Sequence, residues 1–177
     1  MVDRSPLWDR SSARVRSRSS GSESMAGALI ASLALRPATA HDFAFCEHLS
    51  RSNMAGYRAA RGIAWDPARF RASWTEFENL MIVAGDEAIG LLRLLPEGEA
   101  LGLRDLQIVP ARQRQGVGGW AVRQAQAITL QRGHRRLQLR VYVENAARVL
   151  YARLGFAVES EAEGTLHMAW TPRPAVR

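Results

Sequence analysis

One heptapeptide governs the interpretation of this chain: Gln113-Arg114-Gln115-Gly116-Val117-Gly118-Gly119. It lies between an apolar segment, Leu103–Pro110, and a periodic run, Trp120–Arg132, which predict a strand and a helix. Glycine lets a backbone approach an anion without a Cβ in the way, and the first turn of a helix has unpaired N–H groups at its positive end. The order of strand, glycine turn and helix therefore predicts a phosphate-binding turn.

A second motif follows about thirty residues later and reads Asn145-Ala146-Ala147-Arg148-Val149-Leu150-Tyr151-Ala152-Arg153-Leu154-Gly155-Phe156. At this separation the two segments resemble motifs A and B of the GNAT N-acetyltransferase superfamily, and the resemblance extends from about Leu29 to Trp170. It implies a single-domain α/β GNAT-like fold, in which a mostly antiparallel mixed sheet has helices on both faces and a splayed central strand pair. In this superfamily the cofactor lies between the splayed strands.

The resemblance also implies an activity. An N-acetyltransferase of this kind moves an acetyl group from acetyl-CoA, the acyl donor, to a primary amine of an acceptor, here unknown, by direct attack in a ternary complex. Acyl-CoA contains a diphosphate and an amide-rich arm, so it requires anion donors and a strand edge with free backbone groups. The sequence leaves one alternative open, which is a catalytically silent acyl-CoA-binding sensor or interaction module on the same fold.

Cofactor-binding residues follow from the same resemblance. Backbone N–H groups of the glycine turn would hold the diphosphate: Arg114, Gln115, Gly116, Val117, Gly118 and Gly119. Backbone groups of the preceding strand would hold the pantetheine arm and the thioester carbonyl: Leu106, Gln107, Ile108 and Val109. Asn145 would hydrogen-bond the same arm, and it is also placed to cap the helix that follows it. No metal ion is implied.

Tyr151 is the catalytic residue that the resemblance assigns, as the acid that protonates the departing thiolate. A tyrosine hydroxyl suits that task because its ordinary pKa is near 10, so it is neutral and able to donate a proton at pH 7. The alternative for Tyr151 is a packing role at the margin of the core.

The general base is not assigned by the sequence. Many members of the superfamily have a glutamate on the strand before the glycine turn, and an acidic residue in some members occupies the position of Arg104. Asp105 is adjacent, but side chains alternate between the faces of a strand, so Asp105 would point away from the site unless a bulge intervenes. Water is the other candidate carrier of the proton. Arg104 is either a binding group for a carboxylate on the acceptor or a solvated strand residue.

The acceptor pocket in this superfamily is formed by the first two helices and the last strands. The candidates in this sequence are Asn53, Tyr57, Trp65, Trp74 and His167. Trp65 and Trp74 fit the hydrophobic core better than a pocket, and the acceptor itself is not determined by these residues.

Composition narrows the classes of function. The 177 residues suit one domain, and all 24 basic residues are arginine, so arginine counts say little about selection for phosphate binding. The formal net charge of +7 would suit a polyanion, but five arginines lie within residues 1–18 and the others are scattered among apolar positions. Without a basic stripe that contains aromatic residues, we do not expect a nucleic-acid partner.

Cys46 is the only cysteine, so the chain has no internal disulfide, which fits a reducing compartment. We therefore expect a cytoplasmic protein. Cys46 has apolar neighbours and is interpreted as a small buried residue rather than a nucleophile. Association of two copies into a homodimer is left open.

The first part of the chain predicts a disordered leader, residues 1–24, before an acyl-CoA N-acyltransferase domain, residues 25–177. The apolar run Met25–Leu35 precedes Ala38-Thr39-Ala40, as in a signal peptide with its cleavage site. We favour the alternative of a first strand, Leu29–Arg36, followed by a helix that Thr39 caps. The run is too short to span a bilayer, so no membrane association is expected.

Local patterns predict the remaining elements. Helices are expected at Ala40–Asn53, from Asp66-Pro67 through Phe77, at Gly116–Gln131 and at Ala146–Leu154. Strands are expected at Leu80–Ala84, Ala88–Leu95, Leu101–Val109, Leu137–Val143, Ala157–Glu159 and Leu166–Trp170.

Overall fold

A computed structural model describes residues 19–172 of the chain, and its side chains are described from Ser24. Within these residues the helices are α1 (Ser19–Ala31), α2 (Phe43–Ala60), α3 (Pro67–Glu76), α4 (Val117–Gln131) and α5 (Ala147–Arg153). The strands are β1 (Leu33–Pro37), β2 (Glu78–Ala84), β3 (Glu87–Glu97), β4 (Ala100–Ile108), β5 (Arg136–Tyr142), β6 (Ala157–Ala162) and β7 (Thr165–Trp170). None of the helices in this part of the chain is long and apolar enough to cross a membrane.

The seven strands form one open sheet in the order β1-β2-β3-β4-β5-β7-β6. Every neighbouring pair is antiparallel except β4 and β5, which are parallel. Two hydrophobic clusters cover the two faces of the sheet. The larger contains Val117, Ala121, Val122 and Ala125 of α4, and the smaller contains Cys46 of α2 and Phe70 of α3. This single mixed α/β domain, with helices on both faces, confirms the predicted fold class.

The first strand is shorter than predicted. β1 begins at Leu33, whereas Leu29 lies in α1 and packs against the larger cluster. The pairing partner explains the difference, because Leu33 already pairs with Ala84, the last residue of β2. Of the residues before Leu33, Met25, Ala26, Ala28, Leu29 and Ala31 are good helix formers and lie in α1. Residues 19–24 of the predicted leader are therefore helical, while residues 1–18 lie outside the described part, so the leader stays a prediction.

The end of α2 also differs from the prediction. The helix continues through Gly56 to Ala60, seven residues beyond the predicted end at Asn53. It stops at Gly62, whose φ of 65° is a left-handed conformation that glycine adopts at low cost. The N–H of Gly62 donates to the carbonyl of Ala59 over 3.1 Å. The predicted end at Asn53 is therefore too early, and the helix ends just before Gly62.

Other local signals have the predicted effect. The Asp66 carboxylate accepts a hydrogen bond of 2.9 Å from the Arg69 N–H at the start of α3. The Thr39 N–H donates a hydrogen bond of 2.8 Å to the Asp42 carboxylate, at the helix start that Thr39 is predicted to cap. Pro96 is different, because it lies within β3 opposite Leu101 rather than in the turn. The turn between β3 and β4 consists of only two residues, Gly98 and Glu99, so the loop of this hairpin is shorter than predicted.

The splay of the central strands is the feature of the fold that positions the site. β4 and β5 pair only between Ala100–Leu103 and Arg136–Leu139. Beyond these residues β4 continues to pair with β3, and β5 continues to pair with β7. The two strands therefore separate and leave a wedge between them, as the resemblance implied.

A pair of glycine variants tests the packing of β3 against β4. An alanine Cβ at Gly90 would lie 2.6 Å from the carbonyl oxygen of Gln107 and 3.0 Å from Ile108, whereas one at Gly56 has no heavy atom within 4 Å. We expect Gly90→Ala to lower the free energy of unfolding by about 1–3 kcal/mol because backbone must move. Gly56→Ala, in the middle of α2, should raise it by up to about 1 kcal/mol.

Urea unfolding of both variants measures these changes. Unchanged stability of Gly90→Ala would show that β3 and β4 are not packed as described.

Candidate active site

The wedge between β4 and β5 is a cleft of about 790 Å³. β4 contributes Leu103 to Gln107, β5 contributes Leu139 to Tyr142, and α2 contributes Ser50 and Arg58. Asn145 and Tyr151 of the second motif also line it. The structure therefore brings β4 and the second motif together at one opening.

The glycine turn joins β4 to α4. Arg114 has a φ of 62° and Gly116 a φ of 86°, so the chain reverses through two left-handed residues before α4 begins. The N–H of Trp120 is the first to bond back into the helix, to the carbonyl of Gly116 over 3.0 Å. The N–H groups of the first turn, Val117 to Gly119, therefore have no intrahelical acceptor. This geometry suits an anion such as a diphosphate.

Glycines 118 and 119 also explain why the two motifs occur together. A Cβ at Gly118 would lie 3.4 Å from the Leu150 side chain, and one at Gly119 would lie 3.6 Å from it. The first turn of α4 thus packs directly on α5. Small residues at these positions let the second motif approach the diphosphate turn.

Only some of the four predicted pantetheine-binding residues of β4 have backbone groups that face the cleft. The N–H of Val109 donates to the carbonyl of Ile89 over 2.9 Å, so Val109 and, two residues earlier, Gln107 direct their backbone groups toward β3. Leu106 and Ile108 direct theirs toward the cleft. The Ile108 carbonyl already accepts hydrogen bonds of 3.0 Å from the amides of Asn53 and Gln113. Leu106 and the Ile108 N–H are the groups left for a ligand.

Asn145 acts as a cap, which is one of its two predicted roles. Its Oδ1 accepts a hydrogen bond of 2.9 Å from the N–H of Ala147, at the start of α5. Its Nδ2 makes no hydrogen bond within the described residues. Since Asn145 lines the cleft, this amide is free to bind an arm that lies there.

Tyr151 is 8% exposed and packs against Phe156, with ring centroids 5.7 Å apart. Its side chain lines the cleft, and its hydroxyl has no hydrogen-bond partner within residues 19–172. Burial raises the pKa of Tyr151 above its ordinary value of 10, and the negative charge of Asp105 raises it further. The phenol is therefore fully protonated at physiological pH, and its hydroxyl is present as a hydrogen-bond donor in the cleft.

Cys46 is fully buried beneath the sheet and donates a hydrogen bond of 3.4 Å to the Met81 sulfur. Burial raises the pKa of this thiol to about 12, with a smaller contribution from the charge of Asp42. Because the thiolate is the nucleophilic form, Cys46 is inert at neutral pH. This confirms its interpretation as a small core residue.

A β-bulge turns Asp105 into the cleft. Asp105 pairs with Arg93, whereas the next pair is Leu103 with Leu94, so Arg104 is the additional residue of β4. The carboxylate of Asp105 accepts hydrogen bonds of 2.9 Å from the Ser50 hydroxyl and 2.7 Å from the Gln107 amide. The sequence placed Asp105 in the site only if a bulge intervened, and this bulge is present.

Arg104 does not have a free charge, contrary to the hypothesis that it attracts a carboxylate on the acceptor. It forms an ion pair of 3.1 Å with Glu97 and lies 5.3 Å from the centre of the Phe77 ring. A second arginine of the cleft, Arg93, was not among the residues that the sequence predicted for the site. It is 3% exposed and lines the cleft beside Asp105. Its signal in the sequence is a single charge within the apolar run Leu91 to Leu95.

The predicted acceptor-pocket residues fall into two groups. Trp65 and His167 line the cleft. Trp74 packs against Phe43 at 5.2 Å and belongs to the smaller hydrophobic cluster, as expected of a core residue. Asn53 holds the end of β4, and Tyr57 faces Tyr142 at 6.5 Å. Trp65, which the sequence favoured as a core residue, therefore lines the cleft as well as packing against Phe70 at 5.4 Å, whereas Trp74 is a core residue as expected.

The sequence model of the Acetyltransferase (GNAT) family matches residues 44–156, which include the glycine turn, the free edge of β4 and Tyr151. This chain therefore belongs to the GNAT acetyltransferase family. Members of the family are acetyl-CoA-dependent acyltransferases, and this coarse activity holds for the chain. None of the curated proteins matches the sequence significantly.

Solved structures have the same fold. The PaiA N-acetyltransferase of Thermoplasma acidophilum, in complex with coenzyme A, has a TM-score of 0.65 and 17% identity over 80% of this chain and 99% of its own. The ribosomal-protein-S18-alanine N-acetyltransferase of Escherichia coli has a TM-score of 0.64 and 19% identity over 81% and 96%. An acetyltransferase of Thermus thermophilus has a TM-score of 0.63 and 26% identity over 80% and 97%.

A charge placed at Gly118 tests the diphosphate site. An aspartate in the first turn of α4 favours the helix dipole but repels a diphosphate, so stability and cofactor binding should change in opposite directions. We expect Gly118→Asp to raise the Kd for coenzyme A about tenfold or more, with unchanged or higher thermal stability. Calorimetry and thermal unfolding measure the two effects.

Gly118→Asn is the matched control, because it has the same shape without the charge, and its affinity should fall much less. Equal losses in both variants would mean that steric contact with Leu150, rather than charge, is responsible, and unchanged affinity in Gly118→Asp would place the diphosphate elsewhere.

Proposed function

We propose that the chain transfers an acetyl group from acetyl-CoA to a primary amine by direct attack within a ternary complex. The observation that carries this proposal is the cleft, where the free edge of β4, Tyr151 and Asp105 face one space. Holding both substrates there makes the attack effectively unimolecular, so an acyl-enzyme is not needed. Cytoplasmic location and a homodimer stay predictions.

The donor is bound by groups that the fold leaves without partners. In this proposal the N–H groups around Val117 to Gly119 hold the diphosphate. Leu106 and the Ile108 N–H pair with the amides of the pantetheine arm as an added strand would. The Nδ2 of Asn145 donates to the same arm. These contacts aim the thioester at the part of the cleft that contains Tyr151.

Tyr151 supports the departure of the thiol. As the amine nitrogen bonds to the thioester carbon, the carbon–sulfur bond breaks and the sulfur takes the electron pair. The Tyr151 hydroxyl donates its proton to this sulfur, the nitrogen that has formed the amide bond releases its extra proton to solvent, and the tyrosine is reprotonated from solvent. The hydroxyl has no hydrogen-bond partner among residues 19–172, which supports the assignment because it is not engaged elsewhere.

Asp105 is the proposed base. A protonated amine cannot attack, so its proton must pass to an acceptor within the cleft. The carboxylate of Asp105 is fixed there by Ser50 and Gln107. The pKa of Tyr151 responds to the charge of Asp105, so the two groups share one electrostatic environment. An acid and a base at the same opening can serve the two proton transfers of a single turnover.

The activity is tested by following free thiol while the protein is incubated with acetyl-CoA and a library of primary amines. We expect release above the hydrolysis background with at least one amine, and an acetylated product of matching mass. Absence of release with every amine, in a protein that binds acetyl-CoA, would favour the catalytically silent module that the sequence left open.

The two proton-transfer residues are tested together. Tyr151→Phe and Asp105→Asn should each lower turnover by about 10²-fold, the low end for a positioned acid or base, with little change in the Kd for coenzyme A. Raising the pH should restore part of the rate of Asp105→Asn only, because more of the amine is then already deprotonated. Steady-state kinetics with both substrates varied measures these effects.

Cys46→Ala is the control for direct transfer and should retain nearly full turnover. A folded but inactive Cys46→Ala, or parallel lines in the kinetics against both substrates, would mean that an acyl-enzyme forms. Weaker coenzyme A binding with normal turnover in Tyr151→Phe would make Tyr151 a packing residue.

A further inference from the structure

The cleft contains a buried charge that the acetyl donor does not need. Arg93 lies on β3, is 3% exposed and lines the cleft. Its Nε donates to Asn79 over 2.8 Å and its Nη2 donates to the Ser73 hydroxyl over 2.8 Å, while Nη1 makes no hydrogen bond within the described residues. The guanidinium therefore has donors left for a ligand.

No carboxylate of the described residues forms an ion pair with Arg93. Arg104 and Arg136, which also line the cleft, form ion pairs with Glu97 at 3.1 Å and with Glu159 at 2.6 Å. Arg58, Arg69 and Arg140 of the cleft form none among the described residues, but all three are more exposed than Arg93. The rings of Phe70 and Phe77 lie 4.7 Å from the Arg93 guanidinium and stabilise it in part. Burial lowers the pKa of Arg93 even though the charge of Asp105 acts in the opposite direction, so the charge of Arg93 is only partly compensated. An anion in the cleft would supply the missing partner.

Two further donors of the cleft lack acceptors. The Nε of Arg58 and the Nε1 of Trp65 are buried without a hydrogen-bond partner, and the Arg58 guanidinium lies 5.2 Å from the centre of the Trp65 ring. Both residues line the cleft. Buried donors without partners are rare in folded proteins. Their presence on the wall that includes Arg93 indicates a ligand with several acceptor oxygens.

We propose that the acceptor is an amine that carries a carboxylate a few bonds from its nitrogen, such as a free amino acid, and that Arg93 binds that carboxylate. Arg93 and Asp105 are directly opposite each other on β3 and β4, where side chains are about 4.5–5.5 Å apart at Cβ. The Arg93 guanidinium is held by Asn79 and Ser73 and the Asp105 carboxylate by Ser50 and Gln107, so the cleft contains two opposite charges that are kept apart, as the two ends of an amino acid require. This inference rests on the proposed acetyl transfer and specifies its acceptor.

Pairs of acceptors test the inference with the unaltered protein. Each of the common amino acids is compared with its carboxamide, in the thiol-release assay with saturating acetyl-CoA. We expect kcat/KM for the best amino acid to exceed that for its carboxamide about tenfold or more. The carboxamide is the less basic amine and is more fully deprotonated, so the intrinsic reactivity of the amine works against this result.

The outcomes separate the two proposals. If carboxamides or other amines without a carboxylate react as well as the amino acids, the proposed carboxylate site is wrong, but the proposed acetyl transfer still holds. If no amine of either kind is acetylated, the proposed function fails, and the inference that rests on it fails too.

Variants locate the carboxylate. Arg93→Lys keeps the charge but loses the planar fork, so we expect KM for the amino acid to rise about tenfold, with kcat and the KM for acetyl-CoA nearly unchanged. The KM for a carboxamide should not change. Arg104→Gln removes the cleft arginine that is already paired with Glu97, and it should behave like the unaltered protein.

Trp65→Phe covers the case in which Arg93→Lys does not fold. It removes the unpaired N–H but keeps an aromatic ring, and it should raise the KM for the amino acid a few-fold. The same increase in KM for amino acid and carboxamide in a folded Arg93→Lys would mean that Arg93 has a structural role only, which overturns the inference.

Discussion

The separation of β4 from β5 is the constraint on which the rest of the structure depends. The two strands pair over only four residues each, and then each keeps its other neighbour, β3 or β7. A strand that separates in this way exposes backbone donors and acceptors that must find other partners. At the end of β4, the side-chain amides of Asn53 and Gln113 act as such partners, because both donate hydrogen bonds to the Ile108 carbonyl. Leu106, further inside the wedge, has no such partner in the part of the chain that the structure describes, and this is where a ligand can add a strand.

The bulge at Arg104 lies next to the last residue that β4 pairs with β5, and it links the shape of the cleft to its chemistry. Without the extra residue, Asp105 would share the face of Leu103, which packs into the larger hydrophobic cluster. With it, Asp105 turns toward α2 and the cleft, beside Ser50. A bulge also increases local twist and bends the strand. One inserted residue therefore accompanies both the divergence of the strands and the placement of the acid group.

Most of the fold was predicted from patterns within a few neighbouring residues. Features that depend on a strand or helix distant in sequence were not predicted. The glycine turn, the Asp66 cap and α4 follow from spacing within a few residues, and the structure contains each of them. The start of β1 depends on where β2 ends, which no pattern near Leu33 reveals. The site divides in the same way. Tyr151 belongs to a contiguous motif, but the position of Arg93 in the cleft is seen only when the strands are assembled, because a lone arginine among leucines does not show which face it lies on.

The charges of the cleft have a consequence for selectivity. A simple alkylammonium would satisfy Asp105 and leave Arg93 buried without a counter-charge, and its own positive charge would add to the unfavourable potential there. A simple carboxylate would have the opposite defect. An amino acid brings both charges and no net charge, so each is compensated on entry. When its ammonium gives a proton to Asp105, the carboxylate remains on Arg93 and keeps the nitrogen in the cleft. Binding would then hold the acceptor by the group that does not react, which lets the reacting nitrogen change its charge without loss of position.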